Sequence, residues 1–455
     1  MRAGSEFRHR GRWWLPSTQD DKLGGQLEWS VTDGGRLTVD GSFPEPPLLS
    51  PKSAPPHDYD LILGETDAGY AVTLIGCREF SSHSTGRGRT SQTVVTDRGL
   101  IGRTHIEELP ELRFGQAELR FAHLGHWAPE VTAMERDNGV RWRSALAAQA
   151  PKAVISSGKI HLSLHTEEHS TRREETIREV IAFAYQAEDT VDLQQLADRV
   201  WRPLQDLMTF VALESSALVG LRVRRGRNAA DLWNDPWFDV LVSGHTVGSL
   251  EQDTRRGFLF RLNQFAGGFE KLMPAWFALF DEFTLPLSLL LASDYAPFTY
   301  VDRRFAEAVQ AVEGYHRATH KEGPSQEHRE RVQRILAVVG ERDRAWVMDR
   351  LLNSHEPPLL ERLKDVLQEA GRPLQTILAA WPDLPQAVRD TRNAQTHLVE
   401  RKDKRISDPA RMMDAVDILR WALRGCLLRR LGFDGAAADG LLETSLEFQW
   451  VRRRA

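Results

Sequence analysis

The chain has 455 residues, more than one ordinary core accommodates, so two or three domains are expected. Hydrophobic residues at 41% and charged residues at 27% are a globular composition and argue against extensive disorder. A formal net charge of -5 excludes a molecule that is basic throughout, so a nucleic-acid site has to be a local patch. The two cysteines, Cys77 and Cys426, lie far apart without CxxC spacing, which supports neither a disulfide framework nor a zinc site and fits a reducing cytoplasm. Residues 1–15 contain arginines but no apolar signal-peptide core, and no secretory leader is expected.

In chain order, residues 11–120 alternate short β-prone runs with turn residues. Strands are expected at 26–31, 36–43, 59–65, 70–77 and 90–101, with Gly34-Gly35 and Asp67-Ala68-Gly69 as hairpin turns. Residues 42–58 carry six prolines between 44 and 56 and read as a long surface loop. Two more strands are expected at 159–165 and 176–186. Leu193, Leu196, Val200, Leu204, Leu207 and Phe210 then recur at helical spacing, with Asp192 placed to cap the start. Strands near 218–223 and 238–242 precede a helix over about 253–283, kinked at Pro274.

The most apolar run, Leu285 to Leu291, is short and broken by Pro286, so it reads as a buried segment rather than a membrane span, with 286–297 a boundary. From Tyr300 the strand signals cease. Helical patterns follow at 301–320, 327–339, 342–353, 359–370, 384–400 and 408–431, and Gly432 supplies the last stop. The fold class expected is α+β: a β-rich N-terminal region over 1–297 with added helices, then an all-α bundle over 298–455.

The bundle holds the strongest candidate for chemistry, the segment Arg392-Asn393-Ala394-Gln395-Thr396-His397. Loose Arg-to-His spacing also occurs at Arg2/His9, Arg78/His83, Arg98/His105, Arg120/His126 and Arg350/His355. Four of those pairs lie in the β-rich half, and the fifth runs straight into Pro357-Pro358; Arg392/His397 alone has the adjacent asparagine within a helical frame. RNA carries its own nucleophile in the 2′-hydroxyl, so intramolecular attack on phosphorus does not oblige a metal. Histidine exchanges protons near neutral pH, and arginine offers a fork of donors to the phosphate oxygens where charge develops. Asn393 can orient the histidine or hold a phosphate oxygen. At about 100° per residue, Arg389, Asn393 and His397 share one face, while Arg392 stands roughly 140° from His397. Converging the pair requires a second contributor or a local distortion of the helix.

Arg-Asn-x-x-x-His in a C-terminal helical bundle resembles the HEPN superfamily, and its ApeA branch in particular. Gly11-Arg12-Trp13-Trp14-Leu15-Pro16, Gly25-Gln26-Leu27 and Leu37-Thr38-Val39-Asp40-Gly41-Ser42-Phe43 are similar to the ApeA N-terminal domain. Ala311-Val312-Glu313-Gly314-Tyr315-His316 and Ala387-Val388-Arg389-Asp390-Thr391-Arg392-Asn393 are similar to its HEPN part. The resemblance covers nearly the whole chain. It implies a cytoplasmic anti-phage ribonuclease acting by abortive infection, without cofactor or metal, whose catalytic residues are Arg392, Asn393 and His397. It also implies pairing of HEPN domains, RNA as partner with transfer RNA an attractive target, a phage-derived trigger, and a sensor or regulatory role for residues 1–297. The alternative is a non-catalytic HEPN protein for dimerisation or RNA binding; a third reading makes the N-terminal region the enzyme.

Other features weigh less. Glu313 is a candidate to support the active histidine or else an exposed glutamate, and Arg389 reads equally as a phosphate contact or a solvated helix arginine. The basic runs Arg222 to Arg227 and Arg401 to Arg405 are candidate guides for an RNA backbone or solvated faces, the second favoured by its place after the motif. His161, His165 and His169 recur every fourth residue, but a strand does not gather such residues as metal ligands. Trp13 and Trp14 are expected to cap a β core rather than stack bases.

Overall fold

A computed structural model describes residues 6–44, 58–84, 90–128, 134–137, 140–143, 151–170, 175–226, 235–243, 257–321, 323–351, 354–397 and 405–454. The chain divides into two compact units, 1–277 and 278–455. The Pro-rich loop read at 42–58 lies mostly outside the described residues.

In the first unit, six strands close a barrel: β1 (Phe7–Trp14), β2 (Leu23–Ser30), β3 (Gly34–Asp40), β4 (Asp58–Thr66), β5 (Ala71–Ser84) and β6 (Thr90–Thr96). The ring runs β1-β2-β3-β6-β5-β4 and returns to β1, every pair antiparallel. Alternating residues turn inward, so Trp13, Leu27, Trp29, Leu37, Val39 and Val94 form its core. Gly64 is there for space: a Cβ at that position would fall 2.1 Å from the ring of Trp13. Trp13 and Trp14 are thus core residues, as expected.

β5 belongs to two layers. Its residues 78–84 pair with β6, while 71–75 pair with β7 (Arg98–Gly102). From β7 the same antiparallel sheet continues through β15 (Phe238–Val242), β14 (Leu218–Arg224), β8 (Phe114–Phe121), β13 (Glu175–Val191) and β12 (Gly158–Ser170) to β11 (Lys152–Ile155). β9 (Met134–Asp137) and β10 (Val140–Arg143) form a separate pair. Besides the short α1 (Leu124–Trp127), the unit's helical segment starts at α2 (Leu193–Leu196), where Asp192 and Gln195 form a capping box. It widens to a π turn over Ala197–Trp201 and continues as α3 (Arg202–Ala212), which is buried almost all round. Where a helix was expected from 253, the described chain is irregular from 257, and α4 (Gly268–Glu282) follows with Pro274 inside it.

The second unit is helical. Residues 286–297, expected as a boundary, belong largely to α5 (Thr284–Tyr295): Pro286 sits in the first turn, where its missing N–H breaks no helical bond, and Leu287, Leu290 and Leu291 are buried. Then come α6 (Val301–Thr319), α7 (Gln326–Val338), α8 (Glu341–Leu351), α9 (Leu359–Glu369), α10 (Arg372–Ala380), α11 (Leu384–His397), α12 (Pro409–Leu431), α13 (Gly435–Thr444) and α14 (Leu446–Arg454). α12 is the central helix, packed by α6, α9, α13 and α14 and buried on most sides. Asp408 caps its start, Pro409 occupies its first turn, and Gly432 ends it with φ of 114°. Half-buried Arg420 and buried Arg424 of α12 share one carboxylate, Asp294 of α5, at 2.7 and 3.1 Å. Among the described residues no single helix is long and apolar enough to cross a membrane.

Candidate active site

α11 packs against α9 and α6 through Leu384, Ala387, Val388 and Thr391, all buried at helical spacing. That stripe sets the helix's rotation: Arg389 and Asn393 fall on the far side, and Arg392 lies on the flank toward α6. The helix is regular through His397, its last residue, so no π turn draws positions 392 and 397 together, and they stay about 140° apart around the axis. The local distortion that could have converged the pair is absent from α11. The side chain of His397 lies outside the described part of the structure.

Arg392 is 37% exposed, and its Nη2 stands 3.7 Å from the Glu313 Oε2 of α6. Glu313, considered above as a support for the histidine, is therefore placed on the arginine. The contact is a single oxygen at the edge of ion-pair range, which holds the guanidinium while leaving most of its donors for another anion. Asn393 is half-buried. Arg389 is engaged by its neighbour, donating from Nε to Asp390 at 2.9 Å.

Two contacts fix the end of α11. The Gln395 amide donates to the Asp302 carboxylate in the first turn of α6 at 2.9 Å. Buried Thr391 donates its hydroxyl to the Ala387 carbonyl at 2.7 Å and accepts the backbone N–H of Ile406 at 2.8 Å. The second bond brings the chain that leaves His397 back beside Arg392, with exposed Arg405 next to the anchor. Positions 401–404 of that basic run lie outside the described residues. Neither the Thr391 anchor nor the Asp302 contact has a sequence signature, since both join segments distant along the chain.

The other basic run is consumed internally. Arg222 pairs with Glu118, Arg224 donates to the Asp235 carbonyl at 2.8 Å, and Arg225 reaches the Asp235 carboxylate at 3.4 Å. Arg222 and Arg224 also lie over the Trp237 ring. Arg227 lies outside the described residues, as do the side chains of His165 and His169.

A β-barrel unit followed by a helical unit that displays Arg-Asn-x-x-x-His on a packed helix defines a two-part α+β protein with a HEPN-type bundle. Comparison with family models agrees: ApeA N-terminal domain 1 matches residues 8–276, more than half of the chain, and Apea-like HEPN matches 306–436, from α6 to just beyond α12. The chain belongs to the ApeA family, with a C-terminal HEPN domain. That membership carries a nuclease-type role in anti-phage defence as its general character. Searches among curated proteins and among solved structures found no match.

Proposed function

We propose that this protein is a metal-independent endoribonuclease of anti-phage defence, with residues 298–455 as the nuclease and residues 1–297 as its sensor or regulator. The observation that carries the reading is Arg392, half-exposed, tethered by Glu313 and one residue from Asn393, on a helix that ends at His397 within the HEPN match.

In this mechanism the 2′-oxygen of one nucleotide attacks the adjacent phosphorus and the bond to the 5′-oxygen breaks, leaving a 2′,3′-cyclic phosphate and a 5′-hydroxyl. His397 removes the 2′-proton or protonates the departing oxygen. Arg392 donates to the non-bridging oxygens as charge accumulates there, and Asn393 orients the histidine or a phosphate oxygen. Because α11 is regular, the histidine that serves a given Arg392 comes from a second copy of the chain, with two motifs lining one groove. Arg405, next to the Thr391 anchor, contacts the strand's backbone. Single-stranded nucleotides suit such a groove, and the transfer-RNA anticodon loop offers them. The cytoplasm is the compartment in which this substrate is met.

The test is digestion of total cellular RNA by the purified full chain in EDTA, with both ends of the products mapped. Defined cuts ending in cyclic phosphate are expected from wild type. Loss by about 10²–10³-fold is expected for Arg392→Ala, as for removal of one donor to a developing oxyanion, and His397→Ala should leave no cleavage. Equal cutting by His397→Ala would remove this mechanism; phage protection that persists in His397→Ala without cleavage would favour the non-catalytic RNA-binding alternative.

A further inference from the structure

The turn at Ala370-Gly371 sets α10 directly against the end of α9, and each helix buries its apolar residues: Leu363, Val366 and Leu367 of α9, and Leu374 and Ile377 of α10. Their polar residues are left outside, where the start of α11 completes a cleft of about 510 Å³ whose lining includes Lys364, Gln368, Arg372, Gln375, Leu378 and Pro385. None of its lining residues is a carboxylate. Lys364 makes no ion pair among the described residues, and Asp365 beside it is turned to His316 at 3.1 Å. Arg372 is 74% exposed and meets Glu443 at 3.3 Å, a surface contact that neutralises little. Gln375 donates its amide N–H to the Leu367 carbonyl at 2.9 Å, which holds its Oε1 as an oriented acceptor.

The cleft leads toward the motif. Pro385, Arg389 and Arg392 stand at i, i+4 and i+7 on α11, so at about 100° per residue they lie within about 60° of one another around the axis, and about 10 Å of helix separates the first from the last. Arg389 spends Nε and Nη2 on a single oxygen of Asp390, which leaves its Nη1 without a protein partner. Lys364 and Arg372 in the cleft, then Arg389, then Arg392 make a line of positive groups along one flank of one helix, in a chain whose net charge is -5. A row of fixed cations with an oriented acceptor and apolar surface beside it suits a chain of phosphates that carries bases. We infer that the cleft between α9, α10 and the start of α11 is a subsite for the RNA strand beyond the reacting phosphate: Lys364 and Arg372 contact its backbone, Arg389 bridges toward Arg392, and Gln375 accepts a hydrogen bond from a base.

The subsite deepens the reading of the chain as one that acts on RNA and rests on it for the identity of the strand. Its contribution follows from counterion release. Each contact to a single-stranded backbone adds about 0.7 to the slope of log affinity against log salt. Removing Lys364 and Arg372 should therefore make that slope shallower by about 1.4 and, at about 0.15 M salt, weaken binding roughly tenfold. Arg389 and Arg392 keep their own contacts, so the reacting phosphate is still held.

The experiment follows the anisotropy of a fluorescein-labelled oligouridylate of about twelve nucleotides, titrated with the full chain carrying His397→Ala so that the strand stays intact. Into that parent go Lys364→Ala/Arg372→Ala and, as a control that removes the same charge elsewhere, Arg342→Ala/Arg344→Ala on α8. All four side chains are exposed, so circular dichroism and melting temperature should match the parent. The cleft pair is expected to bind roughly tenfold more weakly with the shallower salt slope, and the control pair to bind as the parent does. A parent that does not bind the strand, a cleft pair that binds like the parent, or equal weakening by both pairs overturns the subsite. A polyglutamate peptide that binds the parent as tightly as the oligouridylate would assign the cleft to acidic proteins and also overturn it. The nuclease reading is judged separately: RNA cut by wild type while binding is unmoved in the cleft pair sinks the subsite alone, whereas cleft-dependent binding with no cleavage by wild type leaves the subsite standing without the nuclease.

Discussion

Replacing Thr391 with valine keeps the side chain's shape and removes one oxygen, which makes it a clean probe of how the proposed site is held. Two bonds disappear. The Ala387 carbonyl keeps its helical partner and loses little, but the Ile406 N–H, in a residue 7% exposed, loses its acceptor. An unsatisfied buried donor costs about 1–3 kcal/mol, so the anchor between α11 and residues 405–406 should open about 5- to 150-fold more often. Hydrogen exchange at the Ile406 amide reads this directly and should accelerate by that factor, while amides in the middle of α12 change far less. RNA cleavage should fall although Arg392, Asn393 and His397 are untouched, because Arg405 is no longer held next to α11. Thr391→Ser keeps the hydroxyl and should retain both protection and cleavage. A valine variant with Ile406 protected as in wild type would show that the bond does not hold the loop, and the argument from it would fail.

Two further predictions concern the frame around the site. Burial, with Arg420 alongside, pushes the Arg424 guanidinium down to about 10, and Asp294 is the carboxylate that both arginines share; Asp294→Ala strands the buried Arg424 beside half-buried Arg420 and should cost about 3–5 kcal/mol in urea unfolding, with a loss below about 1 kcal/mol showing that the network does not need its carboxylate. Burial also holds His123 and His316 below the ordinary histidine value of 6.5, against the opposing pull of Glu214 and Asp365. The unfolded chain then binds more protons as pH falls through 6.5, so stability is full above that value and is lost on acidification; melting curves between pH 7.5 and 5.5 should show the decline, shallower in His316→Gln, and identical slopes for the two proteins would reject the assignment.

Local physics explains what the sequence made legible. Alternation and turn glycines placed β2 to β4 within a few residues, and the Asp192 cap and Gly432 stop were readable because capping depends on the residue at one position. β1 and β8 were not anticipated: glycine and arginine interrupt the apolar signal of the first, and the second, buried on both faces, shows no clean alternation. Nor was the barrel, whose closure depends on β5 pairing with β6 as well as with β4. At the candidate site the motif was visible as letters and spacing. Its supports were not, since Glu313, Asp302 and Ile406 lie far along the chain from the residues they touch.

The packing of α11 bears on the mechanism more than the motif spacing does. Leu384, Val388 and Thr391 must face inward to bury the helix, and once they do, Asn393 and the position of His397 are turned outward while Arg392 is turned toward α6. Turning α11 as a rigid body would leave the roughly 140° between positions 392 and 397 unchanged. A π turn could narrow that angle, but among the described residues the π turn lies at Ala197–Trp201, and α11 is α-helical through His397. The core therefore fixes the rotation of α11, and in the proposed mechanism the motif of one chain is incomplete. In the proposed mechanism that incompleteness is a form of control: the groove exists only when two copies meet, so whatever governs their meeting governs the cutting of RNA.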